Sequence, residues 1–227
     1  MGKLDSTKKR ILLAAGPIFA RKGFKAATIR EISDAAEVNL ASVNYYFGDK
    51  QQLYLETVIQ ARQMRVEQVP DPQWDAKATA QDRLHGYVKM ILNRMVALQS
   101  APWQVHLLMR EILQPTEACR KLVHEYFRPF LQVLMQLIDE IVQCQLSDEK
   151  RMQMAFSIIG QCMFYRFAGD FAAMTIESEA LSSEGFDIEH LADHITEFSL
   201  SALQGVSTKY DEIKLTDTKP TEITEKG

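Results

Sequence analysis

Four signals for the start of a helix lie within the first fifty residues and restrict this segment to short, closely packed helices. The residues able to cap these helices are Asp5 or Ser6, Thr28, Asn39 and Asp49. Glu31, three residues after Thr28, completes a capping box, and Gly23 provides a natural C-terminal stop for the first helix. The pattern predicts a compact three-helix unit that leads into a fourth, connecting helix.

The remainder of the chain also has the pattern of helices. No stretch alternates polar and apolar residues as a half-buried strand does, and glycine and proline lie mostly at segment ends. We expect helices near residues 76–99, 102–113, 116–145 with an interruption at Pro129, 148–173 and 187–204. The predicted fold is therefore all-α. Its predicted parts are an N-terminal helix-turn-helix domain (1–50), a connecting helix (51–69), a larger helical domain (76–204) and a flexible tail (205–227).

The charge of the chain is divided unevenly between its two ends. The formal net charge is −4, but residues 1–65 carry a balance of +5 and residues 66–227 a balance of −9. A basic N-terminal segment predicts a polyanion-binding surface there. No run of about 18 apolar residues suggests a membrane span, and the N-terminus resembles an amphipathic helix and not a signal peptide. We expect a cytoplasmic protein without a membrane partner, with three reduced cysteines and no cofactor.

The third short helix has the composition of a helix that enters a DNA groove. Val43 and Phe47 are four residues apart and form its core-facing side. The small and polar residues between them allow close approach to base edges, which Ser42 and Asn44 can read. Tyr45 offers a hydroxyl group to a phosphate, and Lys50 adds a cation at the start of the next helix.

These residues resemble the N-terminal domain of the TetR/AcrR family of bacterial transcriptional repressors. The resemblance covers roughly residues 6–60 and rests on the motifs Phe19-Ala20-x-x-Gly23-Phe24, Thr28-Ile29-Arg30-Glu31-Ile32, Ala35-Ala36-x-Val38 and Tyr45-Tyr46-Phe47-x-x-Lys50-x-x-Leu53. It implies that Thr28 and Tyr45 contact phosphates, that Lys50 anchors a phosphate, and that Ala41, Ser42 and Asn44 face the bases.

Two positions depart from the family pattern. Glu37 replaces the usual turn glycine, at a cost of about 1 kcal/mol if its backbone is left-handed. Tyr46 replaces a histidine, so it can contact DNA or pack against the fourth helix. The predicted DNA-binding residues are Thr28, Ala41, Ser42, Asn44, Tyr45, Tyr46 and Lys50.

The family resemblance also implies that the C-terminal helices bind a small-molecule effector and form a homodimer through the last two helices. Methionine and aromatic residues there suit either an adaptable cavity or an ordinary core. Arg110 needs a carboxylate from the protein or from a ligand, and Asp170 is placed to pair with Arg166. The segment from Trp103 to Pro129 resembles the CecR (YbiH) branch. The predicted effector residues are Trp103, His106, Arg110, Phe127, Met163, Arg166 and Phe167.

Residue type and spacing also bear on whether the sequence contains a metal site or a catalytic motif. Glu189-His190 and Asp193-His194 have the i, i+4 spacing of metal ligands, but the sequence identifies no third ligand and we predict no metal site. No nucleophile–base arrangement or phosphate-binding loop indicates an enzyme. The expected function is a homodimeric repressor that leaves a palindromic DNA operator when an effector binds. The alternatives are a non-specific architectural DNA-binding protein and a helical carrier with a protein-docking module.

Overall fold

The computed structural model describes residues 2–97, 102–176 and 187–217, and every regular element in these ranges is helical. The all-α prediction is therefore confirmed. The helices are α1 (Gly2–Ala26), α2 (Ile29–Ala35), α3 (Leu40–Phe47), α4 (Lys50–Gln68), α5 (Ala80–Leu92), α6 (Pro102–Leu113), α7 (Glu117–Leu122), α8 (Arg128–Val142), α9 (Asp148–Ile176) and α10 (Ile188–Asp217). Short π-helical turns follow α5 (Asn93–Ala97) and α7 (Val123–Phe127).

The chain forms two compact units. The first comprises residues 1–71 and 93–130, and the second comprises residues 72–92 and 131–227. The first unit contains α1 to α4, α6 and α7 around one apolar core. Its fully buried members from different helices include Ile11, Phe19, Ile32, Leu53, Leu107 and Leu122. Since α6 and α7 contribute to this core, they belong structurally with the N-terminal helices.

Two glycines of α1 allow close contact with α6 inside the first unit. A Cβ atom placed on Gly16 would collide with the indole ring of Trp103. Seven residues later, a Cβ atom on Gly23 would lie 3.0 Å from the guanidinium carbon of Arg110. Gly23 has a φ of 75°, which breaks the helical backbone near the end of α1 as the sequence predicts. These two contacts align α6 along α1.

The second unit contains α5, α8, α9 and α10. Its buried apolar residues include Leu84, Val88, Leu134, Ile138, Ile158 and Ile195. Salt bridges connect the helices at the edge of this core: Arg83 of α5 pairs with Glu140 of α8, and Arg151 of α9 lies 2.9 Å from Asp139 of α8. In the described ranges, no helix is both long enough and apolar enough to cross a bilayer.

The structure differs from the predicted domain limits in two places. Residues 93–130, expected in the larger C-terminal domain, cluster with residues 1–71 because α6 and α7 bury Leu107 and Leu122 against the N-terminal helices. The last helix extends to Asp217, so residues 205–217 are helical although they were expected in a flexible tail. Residues 218–227 lie outside the described residues.

Candidate nucleic-acid interface

The predicted capping residues fix the ends of α2, α3 and α4. Thr28 Oγ1 accepts from the Glu31 amide at 3.2 Å, and Glu31 Oε2 accepts from the Thr28 amide at 3.3 Å, which completes the capping box. Asn39 and Asp49 cap α3 and α4 by accepting from backbone amides at 2.7 and 2.8 Å. These three helix-start predictions are confirmed, whereas the predicted start of α1 at Asp5 or Ser6 is wrong, because α1 begins at Gly2. Each cap satisfies an amide that the helix leaves without a partner and thereby sets the direction of that helix.

The turn between α2 and α3 depends on one left-handed residue. Glu37 has a φ of 53°, so its backbone is left-handed at the position where the family resemblance suggested glycine. L-residues at such angles bring Cβ close to the following carbonyl, at a cost of about 1–2 kcal/mol. The Arg10 guanidinium donates to the Glu37 carbonyl at 3.5 Å, so α1 contributes to holding the turn.

One side of α3 is buried and the other is accessible. Val43 and Phe47 are 1% and 4% exposed and anchor the helix in the core, as predicted. Ala41, Asn44 and Tyr45 lie on the exposed side. Therefore the residues predicted to approach DNA lie on a surface that a duplex can reach, while the apolar residues hold that surface in place.

Ser42 and Asn44 differ in their hydrogen-bonding state. The Ser42 hydroxyl group donates to Asn39 Oδ1 at 2.7 Å, so its proton is already used while its oxygen can still accept. This arrangement favours contact with a base amino group. The exposed Asn44 amide has no side-chain hydrogen bond within the described part of the chain, and both its oxygen and its nitrogen are available.

The two adjacent tyrosines have different environments. Tyr45 is 76% exposed, which leaves its hydroxyl group accessible to a phosphate. Tyr46 is half-buried and packs against the core, and its ring centroid lies 5.2 Å from that of Tyr45 in an edge-on arrangement. Tyr46 thus supports the position of Tyr45. A contact between Tyr46 and DNA remains a prediction.

Lys50 and Thr28 mark the two flanks of α3. The Lys50 ammonium group donates to the Lys25 carbonyl at 3.1 Å and lies 4.9 Å from the centre of the Phe24 ring. These contacts hold it at the end of α1 and leave it further N–H donors. The Thr28 side chain is exposed, and its hydroxyl group donates to Glu31.

One ion pair near Thr28 offsets the negative charge of Glu31. Lys22 forms a salt bridge with Glu31, and this contact, followed by the hydrogen bond from Thr28, lowers the pKa of the Glu31 carboxyl group. Glu31 therefore remains charged and keeps Lys22 near the start of α2. Arg30, also exposed at this end, adds a cation without an ion pair among the described residues.

One exposed residue of this surface was not predicted from the sequence. Leu40 is the first residue of α3 and is 51% exposed, unlike the core-facing Val43 and Phe47. An exposed leucine beside Ala41 and Asn44 offers an apolar contact of the kind that thymine methyl groups accept. The sequence did contain a sign of this exposure, since Leu40 directly follows the residue that caps α3, Asn39.

Comparison with known proteins identifies the family. The model described as "Bacterial regulatory proteins, tetR family" matches residues 11–57, and that of the C-terminal domain of "HTH-type transcriptional dual regulator CecR" matches residues 80–203. The second match alone covers more than half of the chain. The chain belongs to the TetR family. Its C-terminal domain is of the CecR type, and both predictions of resemblance are confirmed.

Individual TetR-family proteins agree with this assignment. The HTH-type transcriptional dual regulator CecR of Shigella flexneri is 28% identical over 173 residues, which cover 72% of this chain and 77% of that protein. A TetR-like transcriptional regulator from Rhodococcus sp. RHA1 shares the fold with a TM-score of 0.63 at 16% identity, over 88% of this chain and 96% of that one. AibR, in complex with isovaleryl coenzyme A and operator DNA, has a TM-score of 0.62 at 16% identity, over 85% of this chain and 97% of that one.

A buried hydrogen-bond network joins three helices behind this TetR-family interface. Tyr54 of α4 donates to Glu111 Oε1 of α6 at 2.5 Å, while Glu111 Oε2 accepts from the amide and hydroxyl groups of Thr116 at 3.2 and 2.8 Å. Glu111 is fully buried and accepts from three donors, as a carboxylate does. Burial, followed by the bond to Glu111, raises the pKa of Tyr54. The network fixes the start of α7 to α4 and α6.

The predicted effector residues are divided between the two units. Trp103 and Phe127 are half-buried and pack against the core of the first unit. In the same unit, His106 is exposed and Arg110 is half-buried, with no hydrogen-bond partner for its Nε atom among the described residues.

The remaining predicted effector residues belong to the second unit. Met163 and Arg166 are half-buried there, whereas the side chains of Phe167 and of Asp170, the predicted partner of Arg166, lie outside the described residues. A cleft of about 270 Å³ in the first unit is bordered by α4 and α7, including Phe24, Tyr54 and Thr116, and none of the predicted effector residues borders it. The effector site remains a prediction.

Proposed function

We propose that the protein is a homodimeric transcriptional regulator that binds a palindromic operator and is released from it by a small-molecule effector. The observation that carries the proposal is the accessible face of α3, held by a buried face on the same helix. Each protomer places α3 in a major groove of one half-site. Ala41, Ser42 and Asn44 face the bases there, and Leu40 adds an apolar contact.

Phosphate contacts on both sides of α3 position it along the groove. The exposed Tyr45 contributes a hydroxyl group, and Thr28 contributes one when its proton turns from Glu31 to the phosphate. Lys50 contributes an ammonium group whose position is set by the Lys25 carbonyl. Such contacts supply affinity and orientation, whereas the base contacts supply sequence preference. Replacing Lys50 should therefore weaken binding to every DNA sequence, whereas replacing Asn44 should weaken binding to the operator alone.

Exposed apolar residues support dimerisation through the last two helices. Phe156 and Phe164 of α9 are 57% and 65% exposed, and Gly160 lies midway between them with open space around it. Phe198 of α10 is exposed as well. A monomer rarely exposes aromatic residues in such a row. A second copy of the chain is the proposed partner, with the glycine allowing close helix approach.

The effector proposal rests on the contact between α6 and α1. Trp103 and Arg110, both predicted effector residues, lie directly against Gly16 and Gly23 of the first helix. A ligand that shifts α6 would therefore displace α1, which packs on α2, and α2 in turn packs on the DNA-reading helix α3. The structural relative AibR was determined with isovaleryl coenzyme A and operator DNA, which shows that this fold accommodates both kinds of partner in that protein.

Selection of bound fragments from genomic DNA tests the proposed function. The purified protein is incubated with sheared genomic fragments, and the retained fragments are sequenced. We expect enrichment of a few sites that share a near-palindrome with half-sites about one helical turn apart. Uniform retention of all fragments would instead indicate an architectural DNA-binding protein, and no retention at low salt would contradict the DNA-binding proposal.

Sedimentation at micromolar concentration tests the dimer. Phe164→Glu places a charge in the exposed apolar row of α9 and should convert the protein to a monomer. Leu113→Glu is the matched control, because Leu113 is also an exposed apolar residue but lies at the end of α6. A monomeric wild-type protein would refute the proposal, as would equal dissociation by both variants.

A further inference from the structure

The second unit brings a histidine to the two acidic residues that the sequence spaces like metal ligands. Glu189 and Asp193 are i, i+4 on the first turns of α10, so their side chains project from one face. His85 of α5 lies opposite: its Nε2 atom is 2.9 Å from Asp193 Oδ1 and 3.9 Å from Glu189 Oε1. The packing of α5 on α10 thus supplies the third ligand that the sequence did not reveal.

The spacing of the three donor atoms suits a small cation. All three atoms lie within 4.8 Å of one another. Zinc binds nitrogen and oxygen donors at about 2.0–2.2 Å, so tetrahedral donors around it are about 3.4 Å apart. Bringing the donors of this cluster to that spacing requires movements of about one ångström. The side chains are half-buried or exposed, so rotation about their own bonds is sufficient.

A lysine beside the cluster orients one of the carboxylates. Lys89, one turn after His85 on α5, forms a salt bridge with Glu189 Oε2. That contact leaves Oε1, the oxygen nearer to His85, free to bind a cation. The two carboxylates carry two negative charges and Lys89 offsets one of them, so the cluster as a whole still attracts a divalent cation.

We propose that His85, Glu189 and Asp193 bind one divalent transition-metal ion, for which Zn²⁺ is the best fit. Zinc accepts both imidazole nitrogen and carboxylate oxygen as ligands, whereas Mg²⁺ and Ca²⁺ prefer oxygen ligands throughout. Water completes the coordination, since the cluster is open to solvent. The ion joins α5 to the start of α10 and stabilises the second unit. This inference does not depend on the proposed DNA-binding function.

Calorimetric titration with ZnCl₂ tests the site. The full-length protein, without a histidine tag, is first stripped with a chelator and dialysed. We expect one zinc ion per protomer. His85→Gln should bind zinc at least about tenfold more weakly, because replacing a residue that only supports a metal ligand already lowers metal affinity about tenfold, and His85 is itself a ligand. His190→Gln is the matched control: His190 is next to Glu189 on α10, is exposed and lies outside the cluster. The zinc affinity of His190→Gln should stay within about twofold of that of wild type.

The melting temperature gives a second measurement for variants that lose stability without metal. Each protein is melted with a chelator and with ZnCl₂, and the difference is compared between variants. Wild type and His190→Gln should gain thermal stability with zinc, and His85→Gln and Asp193→Asn should gain clearly less at the same zinc concentration. The proposal is overturned if wild type binds no zinc, if His190→Gln weakens binding as much as His85→Gln, or if MgCl₂ stabilises the protein as well as ZnCl₂ does.

Discussion

Replacing Tyr54 with phenylalanine isolates one hydrogen bond of the buried network. The centre of the Tyr54 ring lies 4.8 Å from that of Phe19 and 5.2 Å from that of Phe24, in edge-on contacts that a phenylalanine at position 54 would preserve. Only the bond to Glu111 is lost, and the fully buried Glu111 carboxyl group then lacks one of its three donors. Hydrogen bonds to charged groups contribute about 1.5–3 kcal/mol, so we expect Tyr54→Phe to lower the free energy of unfolding by about 2 kcal/mol.

Urea unfolding followed by circular dichroism at 222 nm measures this loss. The control is Tyr45→Phe, which removes a hydroxyl group at an exposed site and should change the free energy of unfolding by less than about 0.5 kcal/mol. The double variant Tyr54→Phe/Glu111→Gln should be less destabilised than the sum of its single variants, because both substitutions break the same bond. If Tyr54→Phe behaves like the control, the network does not stabilise the fold.

Alkaline titration provides a second signature of the same bond. The folded state raises the pKa of Tyr54 above its unfolded value near 10. A raised pKa contributes stability that is complete below the unfolded pKa and is lost as the pH rises above it. Wild type should therefore lose stability more steeply than Tyr54→Phe above pH 10. Parallel curves for the two proteins would contradict the assignment.

Three further predictions concern backbone strain, packing and thiol reactivity. Glu37→Gly should raise the free energy of unfolding by about 0.5–1 kcal/mol by relieving its left-handed backbone, and Gly48→Ala, also at positive φ, should lower it by about 1 kcal/mol; urea midpoints measure both. Gly16→Ala should destabilise by about 1–3 kcal/mol in the same assay, because its Cβ atom would collide with Trp103. Burial raises the pKa of Cys162 to about 12, so iodoacetamide at pH 8, monitored by mass spectrometry, should label the half-buried cysteines well before Cys162. Unchanged midpoints, or rapid labelling of Cys162, would contradict these accounts.

Local features of the fold follow closely from the sequence. The caps at Thr28, Asn39 and Asp49 are contacts between residues three positions apart, so residue type and spacing suffice to predict them. The left-handed backbone at Glu37 was only a possibility that the family resemblance raised, and the structure decides it. The core anchors of α3 follow from helical periodicity.

Long-range contacts were not accessible in the same way. The sequence does not show that α6 joins the N-terminal core, because its amphipathic pattern fits any apolar partner. The bond between Tyr54 and Glu111 spans 57 residues, and His85 reaches Asp193 across 108 residues. Such pairs depend on how the helices pack. The zinc-site proposal therefore required the structure, although the spacing of two of its ligands was visible in the sequence.

The most direct test of the account compares Asn44→Ala with Lys50→Ala on operator and random duplexes by fluorescence anisotropy. Asn44→Ala should weaken operator binding by about 1–3 kcal/mol and leave random-sequence binding unchanged. Lys50→Ala should weaken binding to both duplexes. It should also reduce the slope of log affinity against log salt concentration by about the amount that one phosphate contact contributes. Equal losses on both duplexes for Asn44→Ala, or no loss on either, would contradict the claim that α3 lies along the base edges.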